Sequence, residues 1–355
     1  MTVEDSEHGG SEAAAGVEVG AAEAARRARW TWVRRGLRLL LFLAGVTAAV
    51  LLVRGAGPER VLATIVQAGA WMPLIAMLEA CFMGMDVVAL RGLLGERGRG
   101  VPLPVWVRTA ILQYGVMQLL PAGRAGGEIA RASGLAPYVG GARAAAAATR
   151  LQAATMLANT AISVPCWIAV AWRVSALAPL AWAVLVNALI TAAIGTVLIL
   201  AARRSNVGGW LGRRIRLLAL HGPSFDEALR EETPWTPAVI AASIGRAFQT
   251  VQYGVILLAV GGTLTAGSAL VAQGIHLVGA GLGDLVPNQV GITEGAYALF
   301  APALGLEEHP ARAIGIALVA RICQFSLAAS CLLVSALWKT APPPQAPADV
   351  RAIPT

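Results

Sequence analysis

Leu119-Leu120-Pro121-Ala122-Gly123-Arg124-Ala125-Gly126-Gly127-Glu128 and Leu285-Val286-Pro287-Asn288-Gln289-Val290-Gly291-Ile292-Thr293-Glu294 read nearly alike, although they lie far apart in the chain. In each, an apolar run ends at a proline, a glycine-bearing break follows, and a glutamate comes seven residues after the proline. A broken helix carrying a carboxylate is costly in lipid unless it lines a protein-enclosed cavity. Two such segments, one in each half of the chain, fit a membrane protein built from internal repeats.

The composition around them agrees. Of 355 residues 57% are hydrophobic and only 14% charged, and the mean hydropathy is +0.65. Several runs reach the roughly 20 apolar residues that a bilayer crossing requires. The net charge of +8 does not point to nucleic acid, because the basic residues sit beside the apolar runs, as the positive-inside rule expects. Cys81, Cys166, Cys323 and Cys331 all fall in apolar stretches without metal-ligand spacing, so they read as small core residues. Neither a metal nor a cofactor is expected.

Residues 1–29 are Gly/Ala/Glu-rich, lack the layout of a cleavable signal and read as a disordered cytoplasmic arm. Residues 30–340 form the transmembrane domain, and the Pro/Ala-rich residues 341–355 a disordered cytoplasmic tail. Six spans are expected at 37–53, 71–90, 149–171, 180–201, 236–260 and 313–338. Arg26, Arg27, Arg29, Arg34, Arg35 and Arg38 precede the first span. Arg91, Arg97 and Arg99 follow the second, a basic loop from Arg203 to Arg216 follows the fourth, and Lys339 follows the last. Only Arg54, Arg60, Arg173 and Arg312 fall on the other side, so both termini are expected inside, in a multi-pass protein of a bacterial inner membrane. Trp30, Trp32, Trp71, Trp167, Trp172, Trp182, Trp235 and Trp338 mark the proposed ends.

Residues 105–120 and 268–286, which run into the two Pro–Glu motifs, fit poorly as simple spans. They read either as re-entrant helical hairpins broken at Pro121 and Pro287 or as kinked spans. As hairpins they enter from opposite sides, and each is followed by an Arg-bearing helix, at Arg150 and Arg321. The expected fold is therefore all-α: a polytopic helical bundle with two re-entrant hairpins and inverted-repeat pseudo-symmetry. The offsets of 22 and 27 residues from Glu128 and Glu294 to these arginines make the repeat weak in sequence.

Glu128 and Arg131 stand one helical turn apart and form a natural pair, whereas Glu294 has no near basic neighbour and looks to Arg150 or Arg321. These side chains, with Gly127 and Gly291 beside them, either line a polar cavity for a head group or clamp the hairpins to the long helices. Glu79 and Asp86, seven apart, share a helix face and are candidates for a proton or cation relay. His276 and Arg246 are further polar candidates. The small-residue runs at 144–148 and 279–283 permit close helix approach. The glycine breaks would let the helix N-termini at Gly126–Glu128 and Gly291–Glu294 face an anion.

At these motifs the sequence resembles the membrane region of lysylphosphatidylglycerol synthases and the stand-alone flippase-like proteins related to it. Leu120-Pro121, Gly127-Glu128 and Arg131 carry the likeness, with Val286-Pro287, Gly291, Glu294-Gly295 and the helix from Ala311 to Arg321. Arg124 in the first break is similar to the hopanoid-associated branch, and Asn288-Gln289-Val290 departs from the glycine-rich break frequent at the second site. The synthases' aminoacyl-transfer domain has no counterpart after Lys339, so lipid aminoacylation is not implied. The resemblance implies a flippase-like carrier that moves a lipid or lipid-linked polar head group between leaflets. A membrane-embedded head-group-modifying enzyme, or a non-catalytic partner of a lipid-synthesis complex, is the alternative. A membrane lipid is the expected ligand, and a homo-oligomer or a lipid-biosynthesis enzyme the expected partner.

Overall fold

The structure, a computed structural model, describes residues 40, 43–120, 123–204, 222–231, 234–283 and 289–338. The expectations for the terminal arms, for Pro121 and Pro287, and for most of the basic loop after Arg203 lie outside them. All regular structure among the described residues is helical. In order the helices are α1 (Leu43–Ala56), α2 (Pro58–Ala68), α3 (Met72–Leu93), α4 (Gly95–Arg99), α5 (Leu103–Leu119), α6 (Gly123–Val139), α7 (Gly141–Arg173), α8 (Pro179–Arg204), α9 (Gly222–Arg230), α10 (Thr236–Ala259), α11 (Ala266–Gly283), α12 (Ile292–Leu299) and α13 (Pro310–Leu337).

The breaks follow local chemistry. Proline stands in the first turn of α2, α3, α5, α10 and α13, where its missing N–H leaves no bond unmade and its fixed φ suits the helix. Leu120 is extended and ends α5, since the residue before a proline is pushed out of the helical region. Gly140, at φ 85°, turns the chain between α6 and α7, a conformation that an L side chain resists.

Four helices are long and apolar enough to cross a membrane: Pro58–Leu93, in which α2 and α3 run on through a 3-10 turn, Gly141–Arg173, Pro179–Arg203 and Pro310–Leu337. Four of the six expected spans fall on them, though the first of these helices begins well before Trp71. The span expected at 236–260 forms as the 24-residue α10 but is not among the four. Its sequence carries Arg246, Gln249, Thr250 and Gln252, all buried inside the bundle. For the span expected at 37–53, a continuous helix is described only over Leu43–Ala56.

Both Pro–Glu segments are helix–break–helix units whose arms pack antiparallel. A Cβ on Gly127 would meet the Gln113 carbonyl and Met117, and one on Gly134 would meet Thr109. Contacts therefore run down α5 as they run up α6. Likewise Gly279 faces Thr293 and Ala296, and the Tyr297 hydroxyl donates to the Ala272 carbonyl at 2.9 Å, which pairs α11 with α12. Lipid tails are as apolar as leucine, so such small-residue approaches hold membrane helices together better than hydrophobic burial does. Gly115 of α5 against Leu332 and Ala328 of α13, and Ala144, Ala146 and Ala147 buried on α7, follow the same logic. One core joins Ile75, Val184, Ile256, Ile275, Tyr297 and Ile316 from six helices. A second joins Leu90, Trp106, Leu135 and Leu151 around the first helix–break–helix unit.

Candidate functional site

Between the two helix–break–helix units lies a cavity of about 830 Å³. Its wall from α3 is one helix face: Glu79, Phe82, Met83 and Asp86, at spacings of three, four and seven. Gln113 and Tyr114 of α5 and Glu128 of α6 enter from the first unit, and His276 of α11 with Thr293 and Tyr297 of α12 from the second. Arg246, Gln249 and Tyr253 project from α10, and Arg321 and Gln324 from α13. The wall formed by α7 and α8 carries neutral polar groups, Gln152, Thr155, Asn159, Asn187 and Thr191, among apolar side chains. On α8 the lining residues Trp182, Val186, Ile190 and Ile194 are also exposed.

Three carboxylates are held in different ways. Glu128 takes two hydrogen bonds from Nη2 of Arg131, at 2.6 and 2.5 Å. Arg131 is buried, while the Glu128 side chain keeps 27% of its surface. Glu294 is 1% exposed and accepts from Arg321 Nε at 2.9 Å. Its second oxygen accepts the Gly291 N–H at 2.8 Å. The α12 N-terminus, expected to be open to an anion, is thus occupied by the chain's own glutamate. Arg321 Nη2 also donates to Thr293 Oγ1 at 3.1 Å. Glu79, 1% exposed, is held by neutral donors: the Tyr114 hydroxyl and Gln252 Nε2, each at 2.8 Å.

Of the residues singled out from sequence, Glu128 and Arg321 line the cavity, and Arg131 and Glu294 stand directly behind them. Arg321, not Arg150, is the partner of Glu294. Arg150 lies elsewhere: its Nη2 donates to the Leu229 carbonyl at 2.6 Å and to the Glu231 carbonyl, and its guanidinium sits 5.6 Å from the centre of the Trp235 ring. It ties the end of α9 to α7. Gly127 allows α6 to touch α5, and Gly291 allows α12 to touch Gly45 of α1. Gly291 borders a separate apolar groove between α1, α12 and α13. His276 lines the cavity and shares a 2.7 Å hydrogen bond with the Tyr253 hydroxyl. Arg246 donates to Gln249 at 2.7 Å and lies 5.0 Å from the Phe82 ring centre.

Sequence reasoning missed Tyr114, Gln252, Asn159 and Asn187. A signal existed for part of this set. Gln152 and Asn159, seven apart within an apolar span, and Arg246, Gln249 and Tyr253, at spacings of three and four, each form a polar stripe on an otherwise apolar helix. No protein-family model, curated protein or solved structure matches the chain.

Proposed function

We propose that the chain is a flippase-like carrier that moves a lipid, or a lipid-linked polar head group, between the leaflets of a bacterial inner membrane. One observation carries this reading: a cavity of about 830 Å³ is lined both by charged side chains, Glu79, Glu128, Arg246 and Arg321, and by exposed apolar residues of α8, Trp182, Val186 and Ile190. That volume lies in the usual range of roughly 300–1,000 Å³ for small-molecule sites, which suits a head group rather than a whole lipid. Arg246 and Arg321 attract the phosphate, and the neutral amides of α7 and α8 take hydroxyls. The acyl chains stay in lipid beside the exposed Trp182, Val186 and Ile190.

In this reading α5–α6 and α11–α12 are re-entrant hairpins entering from opposite faces, with both termini cytoplasmic. Their shared plan, an acid on the second arm paired with an arginine, supports an inverted repeat. The halves differ in where that arginine comes from: Arg131 lies on the same helix as Glu128, and Arg321 on the next long helix after Glu294. Reconstitution in liposomes with tail-labelled lipids tests the proposal. Movement of label between leaflets without covalent change is the expected result. Product formation on the head group would favour a modifying enzyme, and inertness in both respects a non-catalytic partner of a lipid-synthesis complex.

A further inference from the structure

Glu79, Glu128 and Glu294, in or directly behind the cavity wall, separate by what faces them. Glu128 and Glu294 each meet an arginine within 3 Å. Glu79 is as buried as Glu294, yet its hydrogen bonds come from a phenol and from the side-chain amides of Gln252 and Gln324. A buried carboxylate without a contacting cation exchanges its proton far more readily than one locked in an ion pair. The shell of Glu79 suits both states, because a tyrosine hydroxyl and a glutamine side chain each offer a donor and an acceptor. Charged and titratable groups facing it are Arg246 and Tyr253 from α10, Tyr114 from α5 and Cys323 from α13. Arg246 acts on Glu79 through space and donates to Gln249.

Position matters as much as chemistry. Glu79 lines the cavity on the same face of α3 as Asp86, about 10 Å along the helix at roughly 1.5 Å per residue. Asp86 is only partly buried, so the α3 face leads from a more open acid to an enclosed one.

We infer that Glu79 is a proton-exchange site opening on the cavity, so that passage of the head group is coupled to a proton. The exchange is simple in balance: a proton moves from cavity water onto a Glu79 oxygen and later leaves by the same route, and no other bond is made or broken. The coupling rests on the carrier reading above; the proton site itself does not. Arg246 and Arg321 give the link, because an anionic head group drawn to them changes the field at Glu79.

Two measurements separate the parts. Infrared spectroscopy of the protein in membranes near neutral pH is expected to show a carboxylic-acid band that changes with pH and is lost in Glu79→Gln. In Tyr114→Phe, which keeps the ring, the band is expected to persist at a shifted frequency, and this decides the matter should Glu79→Gln fail to fold. Absence of any Glu79-dependent band, or no shift in Tyr114→Phe, overturns the proton site whether or not lipid moves. In liposomes, translocation of tail-labelled phosphatidylglycerol is expected to respond severalfold to an imposed pH gradient in the native protein, and the response is expected to be lost in Glu79→Gln. A gradient-blind native protein, or a Glu79→Gln variant that still responds, overturns the coupling. No movement of phosphatidylglycerol, phosphatidylethanolamine or a polyprenyl-phosphate sugar by the native protein overturns the carrier reading and the coupling with it, and leaves the infrared result to decide the proton site alone.

Discussion

Arg321 and Glu294 meet across 27 residues of sequence, Nε to Oε1 at 2.9 Å, with the carboxylate sealed at 1% exposure and the guanidinium reaching the cavity at 16%. The same glutamate caps its own helix through the Gly291 N–H. One side chain therefore ties α12 to α13, closes the N-terminus of α12 and sets the charge presented to the cavity.

Replacing Glu294 by Gln strands the arginine and weakens the cap. Breaking a buried pair in this way costs roughly 3–5 kcal/mol, so Glu294→Gln is expected to lower the melting temperature in detergent clearly. Adding Arg321→Gln removes the stranded charge and is expected to recover part of that loss, as a double-mutant cycle reads directly. Full stability of the single Glu294→Gln variant would mean that the pair is not held as described.

The Glu128–Arg131 pair is expected to be asymmetric. Arg131 is 3% exposed and Glu128 is 27% exposed toward the cavity. Without Arg131 the carboxylate still reaches cavity water, but without Glu128 the arginine is a buried charge with no compensation. Glu128→Ala is expected to be less stable than Arg131→Met, which keeps the apolar stem. The reverse order in thermal unfolding would contradict the burial assigned to the two side chains.

The two Pro–Glu motifs led directly to the helix–break–helix units and to the carboxylates around the cavity, because proline, glycine and a membrane-depth acid each carry a local cost that sequence displays. Partner choice was less legible. Arg150 and Arg321 look alike as single arginines on long helices, and only the fold shows that α9 supplies carbonyls to the first while α12 supplies a carboxylate to the second. Tyr114 and Gln252 were illegible for a different reason: each is one polar residue on a helix, and their convergence on Glu79 is made by α3, α5 and α10 packing together.

Outside the cavity, Glu231 is gripped by Arg97 at 2.8 Å and Arg143 at 3.0 Å. Partial burial pushes its carboxyl up, but the two arginines outweigh this and hold it below the usual range. A carboxyl with a depressed folded-state value stabilises above the ordinary carboxylate range, and that stabilisation is lost as pH falls through the lowered value. Because Glu231 is 39% exposed, the effect is local and screened by salt. Acidification is expected to raise corrected hydrogen exchange in α9, and Arg150→Ala to do the same at neutral pH. Unchanged exchange in α9 in both cases would remove Glu231 and Arg150 as its anchors.

Two glycines are expected to respond oppositely to alanine. A Cβ on Gly127 would lie 2.7 Å from the Gln113 carbonyl oxygen, which is backbone and cannot swing away, whereas Gly84 has nothing within 4 Å. Gly127→Ala is expected to force α5 and α6 apart and lower stability. Gly84→Ala, in the middle of α3, is expected to be neutral or to gain up to about 1 kcal/mol through helix propensity. Equal melting temperatures for the two variants would argue against the tight α5–α6 contact.

The course of α7 sets the topology test. At about 1.5 Å per residue its 33 residues span about 50 Å, more than the roughly 30 Å of bilayer hydrocarbon, so it is long enough for its ends to emerge on opposite faces. Arg150, in the first third of α7, holds the end of α9, and buried Ala146 packs with Ala228 and Leu229. Exposed Glu227 on α9 therefore marks the face where α7 begins, and exposed Val174 the face where it ends. With single cysteines at these positions in a chain whose native cysteines are replaced, a membrane-impermeant reagent added to intact cells is expected to label Val174→Cys alone. Glu227→Cys is expected to react only after permeabilisation. Labelling of both from outside would remove α7 as a spanning helix, and labelling of Glu227→Cys alone would invert the orientation that the arginine distribution predicts.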